Sequence, residues 1–287
     1  MTPSTTTGPT LRTLEGLVAD EYGDPSDQRP PLVLLHGLTF DRFMWGPTVA
    51  VLQEIQPGRH VLAFDLPGHG ESPWLPTHGG REVTEAIGRA VQSAGLAEPV
   101  IVGHSASAMM ATGYPLFFPA RGVINVDQSL RFEPFVKMLL SLEDRLRGPA
   151  YPQFWQMLLA SMHLELLPSK AQDLLNQHGT PRQDLVISYW SDLLIRPVED
   201  ISRELAEALQ HLARHGVAYQ TIFGADPEPD YESWLTNQVP QATTEIWSGS
   251  GHFPHLAHPR RFAQLLAASA ASRTAPDAVR PVGGPPD

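Results

Sequence analysis

Val100-Ile-Val-Gly-His-Ser-Ala-Ser107, followed by Ala108-Met-Met-Ala-Thr-Gly-Tyr114, decides how the chain is read. The stretch begins as a short apolar, β-rich run and ends as a helix, with Ser105 on the turn between them. A chain that passes from strand to helix in so few residues bends sharply, so the residues two before and two after the serine must be small, as Gly103 and Ser107 are. Such a turn exposes the Ser105 hydroxyl above the strand end. It also aims the first amides of the helix at that hydroxyl, which makes the Ala106 N–H a donor to an oxyanion. Gly is the common residue where this chain has Ser107, whose β-carbon and hydroxyl crowd the turn.

Outward from this turn, short apolar runs recur at Leu32-Val-Leu-Leu35, Val61-Leu-Ala-Phe64, Val123-Ile-Asn-Val126, Tyr219-Gln-Thr-Ile-Phe223 and Thr244-Glu-Ile-Trp247. Runs apolar on both faces suit the buried strands of a parallel sheet. Between them lie helical spacings such as Val83, Ile87, Ala90, Val91 and Ala94, or Phe262, Leu265, Leu266 and Ala270. Strand and helix in alternation predict an α/β fold with right-handed crossovers and helices on both sheet faces. One region, 131–216, breaks the alternation with several helical patterns and no strand; its last pattern ends at Gly216, a natural C′ residue. It reads as a helical cap inserted into a core of 11–130 and 217–272, with flexible tails at 1–10 and 273–287 rich in Pro, Gly, Ser and Thr. The cap is dense in aromatics and Met. Most of these suit core packing, while Trp155, Met162 and Trp190, with Phe253 from the core, are the candidates to line an apolar substrate pocket.

A nucleophilic serine needs a base and a second oxyanion donor. Gly249-Ser-Gly-His252-Phe-Pro-His255-Leu-Ala-His258-Pro lies after the last strand run, and a histidine on its Gly-rich start can swing over the serine turn. His252 is therefore the expected general base, with His255 and His258 structural. His36-Gly37 follows an earlier strand, so the amide of Leu38, or of Gly37, is the expected second donor. His211 and His215 have metal-ligand spacing but lack the Glu of an H-E-x-x-H pattern, so no metal site is expected.

Composition narrows the partners. Of 287 residues, 20 are Lys or Arg and 31 Asp or Glu, a net charge of −11 without a basic block, which argues against nucleic acid. The absence of Cys removes disulfides and thiolate chemistry, so covalent catalysis must use another nucleophile. No basic start, apolar leader or long apolar run is present, which predicts a cytoplasmic protein without membrane partners.

His36-Gly37, the turn Asp65-Leu-Pro-Gly-His-Gly-Glu-Ser72, Gly103-His-Ser105-Ala-Ser107 and Gly251-His252-Phe-Pro, in that order, resemble the α/β-hydrolase superfamily over nearly the whole chain. The resemblance implies an eight-stranded sheet with a cap after the sixth strand and a Ser-His-acid triad needing no cofactor. Val126-Asp127-Gln128 together with His252-Phe-Pro-His-Leu-Ala-His-Pro259 is similar, more narrowly, to lactone hydrolases of the zearalenone-hydrolase type. Two carboxylates compete as the acid. Asp226 lies after the later strand, where the superfamily commonly carries it, but in a Pro-rich acidic loop that reads equally well as a solvated turn. Asp127 follows its strand directly, at the position used by the lactone-hydrolase-like proteins, and is the expected acid. The expected reaction is hydrolysis of a carboxylic ester or lactone of a mid-sized lipophilic substrate through an acyl-enzyme. Cofactor-independent lyases, C–C hydrolases and perhydrolases on related folds, or a ligand sensor that has lost catalysis, are the rival readings.

Overall fold

The computed structural model describes residues 8–269. The chain opens with a hairpin, β1 (Thr10–Leu14) and β2 (Leu17–Tyr22), closed by Glu15 and Gly16 at φ 50° and 87°. Two left-handed residues in succession make the tight turn whose twist matches the flanking strands. This hairpin lies outside the strand runs legible in the sequence, and β1 begins inside the stretch expected to be tail: its residues are mostly exposed, so no apolar pattern announces it. The segments 1–7 and 270–287, which include the rest of both expected tails, lie outside the described residues.

The remaining strands fall where the apolar runs predict: β3 (Leu32–Leu35), β4 (Val61–Phe64), β5 (Val100–His104), β6 (Gly122–Val126), β7 (Ala218–Phe223) and β8 (Thr243–Ile246). They form one eight-stranded sheet in the order β1-β2-β4-β3-β5-β6-β7-β8, antiparallel at β1–β2 and β2–β4 and parallel elsewhere. Alternate residues of one strand enter different cores. Leu32 and Leu34 pack with Trp45, Val49, Phe262 and Leu266, whereas Val33 and Leu35 join Val83, Ile87 and Val91. The period-2 geometry of a strand thus turns a continuous apolar run into two half-cores.

The helices that cover these faces are α1 (Gly46–Ile55), α2 (Gly80–Ser93) and α3 (Ala106–Gly113) in the first part of the chain. Between β6 and β7 come α4 (Glu133–Ser141), α5 (Glu143–Arg147), α6 (Tyr151–Ser161), α7 (Ser169–His178), α8 (Gln183–Tyr189), α9 (Ser191–Ile195) and α10 (Val198–His215). Then follow α11 (Tyr231–Gln238), α12 (Pro254–Ala257) and α13 (Pro259–Ser269). Helix α10 ends on Gly216 in the left-handed conformation, φ 61°, as its position past the last apolar residue predicts. No helix among the described residues is long and apolar enough to cross a membrane.

Candidate active site

Ser105 stands at φ 55°, ψ −131°, a backbone region that costs a non-glycine residue about 1–3 kcal/mol. Its surroundings hold it there. The Ser105 N–H donates to Val126 O at 2.9 Å, so ladder bonding with β6 continues through the turn. A β-carbon on Gly103 would fall 2.5 Å from Ser107 O, so only glycine admits the helix start so close to the strand. Ser107, where the sequence departs from the common glycine, is fully buried and used: its Oγ accepts from His104 N at 2.9 Å and lies 2.8 Å from Leu35 O and 2.9 Å from His104 O. The hydroxyl that crowds the turn therefore ties it to the end of β3.

Register then sets the neighbours of Ser105. His104 pairs with Val126, and Val126 with Ile222, which puts Ser105 beside Asp127 on adjacent strand ends. The Asp127 N–H donates to Ile222 O at 2.8 Å, and the residue adopts φ 57°, turning its carboxylate away from the line of the strand. Oδ1 accepts from Gly224 N at 2.6 Å and Oδ2 faces His252 Nδ1 at 2.6 Å. A carboxylate can only accept, so His252 carries its proton on Nδ1 and leaves Nε2 free to take one. The side chains of His252 and Asp127 keep 19% and 16% of their surface, so solvent reaches a pair otherwise set among buried groups. Asp226 is exposed and takes no part in this pairing.

The loop after β3 lies against the same turn: a β-carbon on Gly37 would sit 3.4 Å from Ser105 Cβ. Its amides divide between structure and site. Thr39 N–H donates to His69 Nε2 at 3.0 Å and Phe40 N–H to Gly37 O at 3.2 Å, whereas the Leu38 N–H makes no hydrogen bond among the described residues. The Ala106 amide opens α3, whose leading N–H groups have no acceptor within the helix. The turn after β4 braces this loop. Leu66 N–H donates to His36 Nε2, and His36 Nδ1–H to Gly37 O, so His36 is a neutral bridge; burial lowers its pKa to about 4. Beneath it, Asp65 accepts from Arg42 N and pairs with the Arg42 guanidinium, which also reaches Asp20.

The β6–β7 segment touches both loops through its backbone. At the corner after α6, Met162 O accepts from His252 N at 3.0 Å, and a β-carbon on Gly251 would lie 2.7 Å from that oxygen. After α7, Thr180 N–H donates to Thr39 O at 2.8 Å, and His178 Nδ1 lies 2.8 Å from Asp41 Oδ2. Met162, one of the pocket candidates, thus lies beside His252 and meets it through its carbonyl. The other three pocket candidates are placed differently. Trp155 stacks on Tyr151, and Trp190 meets Phe135 and Phe154 edge-on; both are buried inside the helical segment and serve its core. Phe253 is fully buried against Phe40 and His104, in the apolar layer that also holds Leu256 of α12. His255, expected to be structural, is fully buried between Trp45 and His104, and burial, followed by the nearby His252, lowers its pKa to about 3. His211 and His215 stack at 4.2 Å on α10, and among the described residues no group of three or more His, Cys, Asp or Glu is placed to hold a metal.

Comparison with known proteins agrees with this architecture. The model of the alpha/beta hydrolase family matches residues 32–265. A biotin biosynthesis bifunctional protein, BioHC, of Cellvibrio japonicus is 27% identical over 251 residues, which are 84% of this chain and 47% of that protein, so the chain spans about half the length of that relative. A thioesterase domain from the curacin biosynthetic pathway superposes with a TM-score of 0.65 at 21% identity, covering 92% of this chain and 100% of the domain. A lipase-esterase related protein from Clostridium acetobutylicum gives 0.70 at 14% identity, covering 88% and 98%. With the family model matching from β3 into α13, across every strand end that builds the site, the chain belongs to the alpha/beta hydrolase family.

Proposed function

We propose that the protein is a serine hydrolase that cleaves a carboxylic ester or lactone through an acyl-enzyme, with Ser105 as nucleophile, His252 as general base and Asp127 as the acid. The observation that carries this reading is the bond between Asp127 Oδ2 and His252 Nδ1, on strand ends next to a serine held at φ 55°. That bond fixes the tautomer a base requires. His252 Nε2 takes the Ser105 proton, the alkoxide attacks the carbonyl carbon, and the amides of Ala106 and Leu38, or Gly37, receive the negative charge on its oxygen. The intermediate collapses as His252 returns the proton to the departing alkoxide. Water, deprotonated by the same His252, then releases the acid and restores Ser105.

The helical segment 131–216 is proposed as a cap, and a mid-sized lipophilic acyl or lactone substrate suits the half-buried apolar groups it offers, Phe135, Met138, Leu158 and Met162. A net charge of −11 disfavours polyanionic substrates. The test is labelling by a fluorophosphonate, together with acid release from aryl esters and lactones followed by pH-stat. Wild-type protein should be labelled and release acid; Ser105→Ala should stay folded, take no label and lose turnover by orders of magnitude. Folded wild-type protein that takes no label would overturn the reading.

A further inference from the structure

His104, the residue before the nucleophile, is fully buried at the end of β5, yet its ring is not simply packed. Nε2 lies 2.8 Å from the backbone oxygen of His252. The ring centroid is 4.9 Å from that of His252, 4.9 Å from Phe253 and 4.7 Å from His255. A carbonyl oxygen only accepts, so the imidazole presents Nε2–H to it. Burial first, then the neighbouring His255 and His252, keep the ring neutral, which leaves Nδ1 bare against Gly37, where a β-carbon would approach to 2.7 Å.

The backbone of His252 is thereby held on both sides, its N–H by Met162 O and its carbonyl by His104. With the backbone fixed, the bond to Asp127 decides the remaining side-chain torsions. His104 is also covalently next to Ser105 and touches the Gly37 loop, so one imidazole joins the serine turn, the base and the oxyanion loop. A packing residue would need only the ring's volume. The donor on Nε2 adds direction, and direction matters where about 1 Å of misplacement can cost 10²-fold in rate.

We propose that His104 is a positioning residue that ties the loop of His252 to the turn of Ser105 through its Nε2–H. The inference rests on the reading of Ser105 and His252 as nucleophile and base.

The experiment compares three full-length variants. His104→Gln keeps a nitrogen donor near the place of Nε2, whereas His104→Phe and the smaller His104→Leu lack one. Two readouts apply. The first is the low-field proton resonance of His252 Nδ1–H, identified by its loss in Asp127→Ala and recorded without substrate. The second is kcat and KM on an aryl ester. In His104→Phe and His104→Leu the resonance should broaden or vanish and kcat should fall about 10²-fold with KM little changed. His104→Gln should keep the resonance and recover most of kcat. Equal behaviour of the Gln and Phe variants, a donor-free variant with wild-type resonance and kcat, or a loss confined to KM would each overturn the proposal. Because the resonance needs no turnover, it judges His104 separately from the hydrolase reading, whose own failure would appear as wild-type protein that a fluorophosphonate leaves unlabelled.

Discussion

The ends of β6 and β7 are neighbours in the sheet and each is followed by an aspartate, yet they serve the site in opposite ways. After β6, Asp127 turns at φ 57° and puts one carboxylate oxygen on His252 and the other on Gly224 N–H. After β7, Gly224 contributes that backbone amide, and Asp226 runs out to solvent. The cause is steric. Gly224 crosses the histidine loop so closely that a β-carbon on it would come within 1.7 Å of Gly251 O. The chain leaving β7 is thus pressed against the backbone of the base's loop, and its next carboxylate is carried past. In the proposed triad, then, the acid is the first residue beyond the β6 ladder, which turns onto His252, and not the carboxylate that the β7 loop carries out to solvent.

The strongest way to break this comparison is Asp127→Asn, which should lower kcat/KM by about 10⁴-fold while leaving the fold intact, because the amide can donate to His252 and favour the wrong tautomer. A near-normal rate in that variant, measured on whichever ester the wild type cleaves, would remove Asp127 from the site.

Acidification probes the imidazoles buried around these strand ends. His36 and His255 have folded pKa values of about 4 and about 3, below the value of about 6.5 in an unfolded chain. The unfolded state therefore binds more protons between these limits. Stability should be full above about pH 6.5 and fall as pH drops toward 4, by about 2 kcal/mol per histidine at pH 5. Urea unfolding at pH 7 and pH 5 measures the difference, and His255→Phe should shrink it. A flat profile over that range would mean that these rings are not buried as neutral groups.

Gly224→Ala sharpens the comparison from the β7 side. The added methyl must push the histidine loop away, which should cost about 1–3 kcal/mol in urea unfolding and slow fluorophosphonate labelling by loosening the Asp127–His252 pair. Unchanged stability and labelling would show that the crossing has slack. Asp226→Asn should do least, with stability within about 0.5 kcal/mol of wild type and an unaltered rate; a large loss there would reverse the assignment of the two strand ends.

Much of this arrangement was legible in the residues themselves. Strands β3 to β8 could be read because most are apolar on both faces, and Asp127 because it directly follows one of them. The β1–β2 hairpin escaped since its first strand is polar and its signal lies only in Glu15-Gly16. Trp155, Trp190 and Phe253 are buried among other aromatic rings, and the sequence could not foretell that setting because an aromatic side chain carries the same hydrophobic signal in a core as on a pocket wall. The contacts of Met162 O and Gly224 N were invisible for another reason: backbone groups are common to all residues, and their partners depend on tertiary approach. The steric closeness of Gly251 and Gly224 left a trace, as glycine in both places, but one that turn formation explains equally well.

The two backbone bonds between the β6–β7 segment and the loops beneath it, Met162 O to His252 N–H and Thr180 N–H to Thr39 O, bear on how this protein can exchange parts. A foreign helical segment spliced in at the flanks of β6 and β7 would preserve the sheet and still remove the two supports, because neither lies near a splice point. Residues 162–180 are inherited with the strand loops as one block. Recombination for new specificity has its room before that block, in α4 to α6, whereas beyond it Tyr189 of α8 donates to Pro67 O at 2.8 Å and ties that helix to the turn after β4.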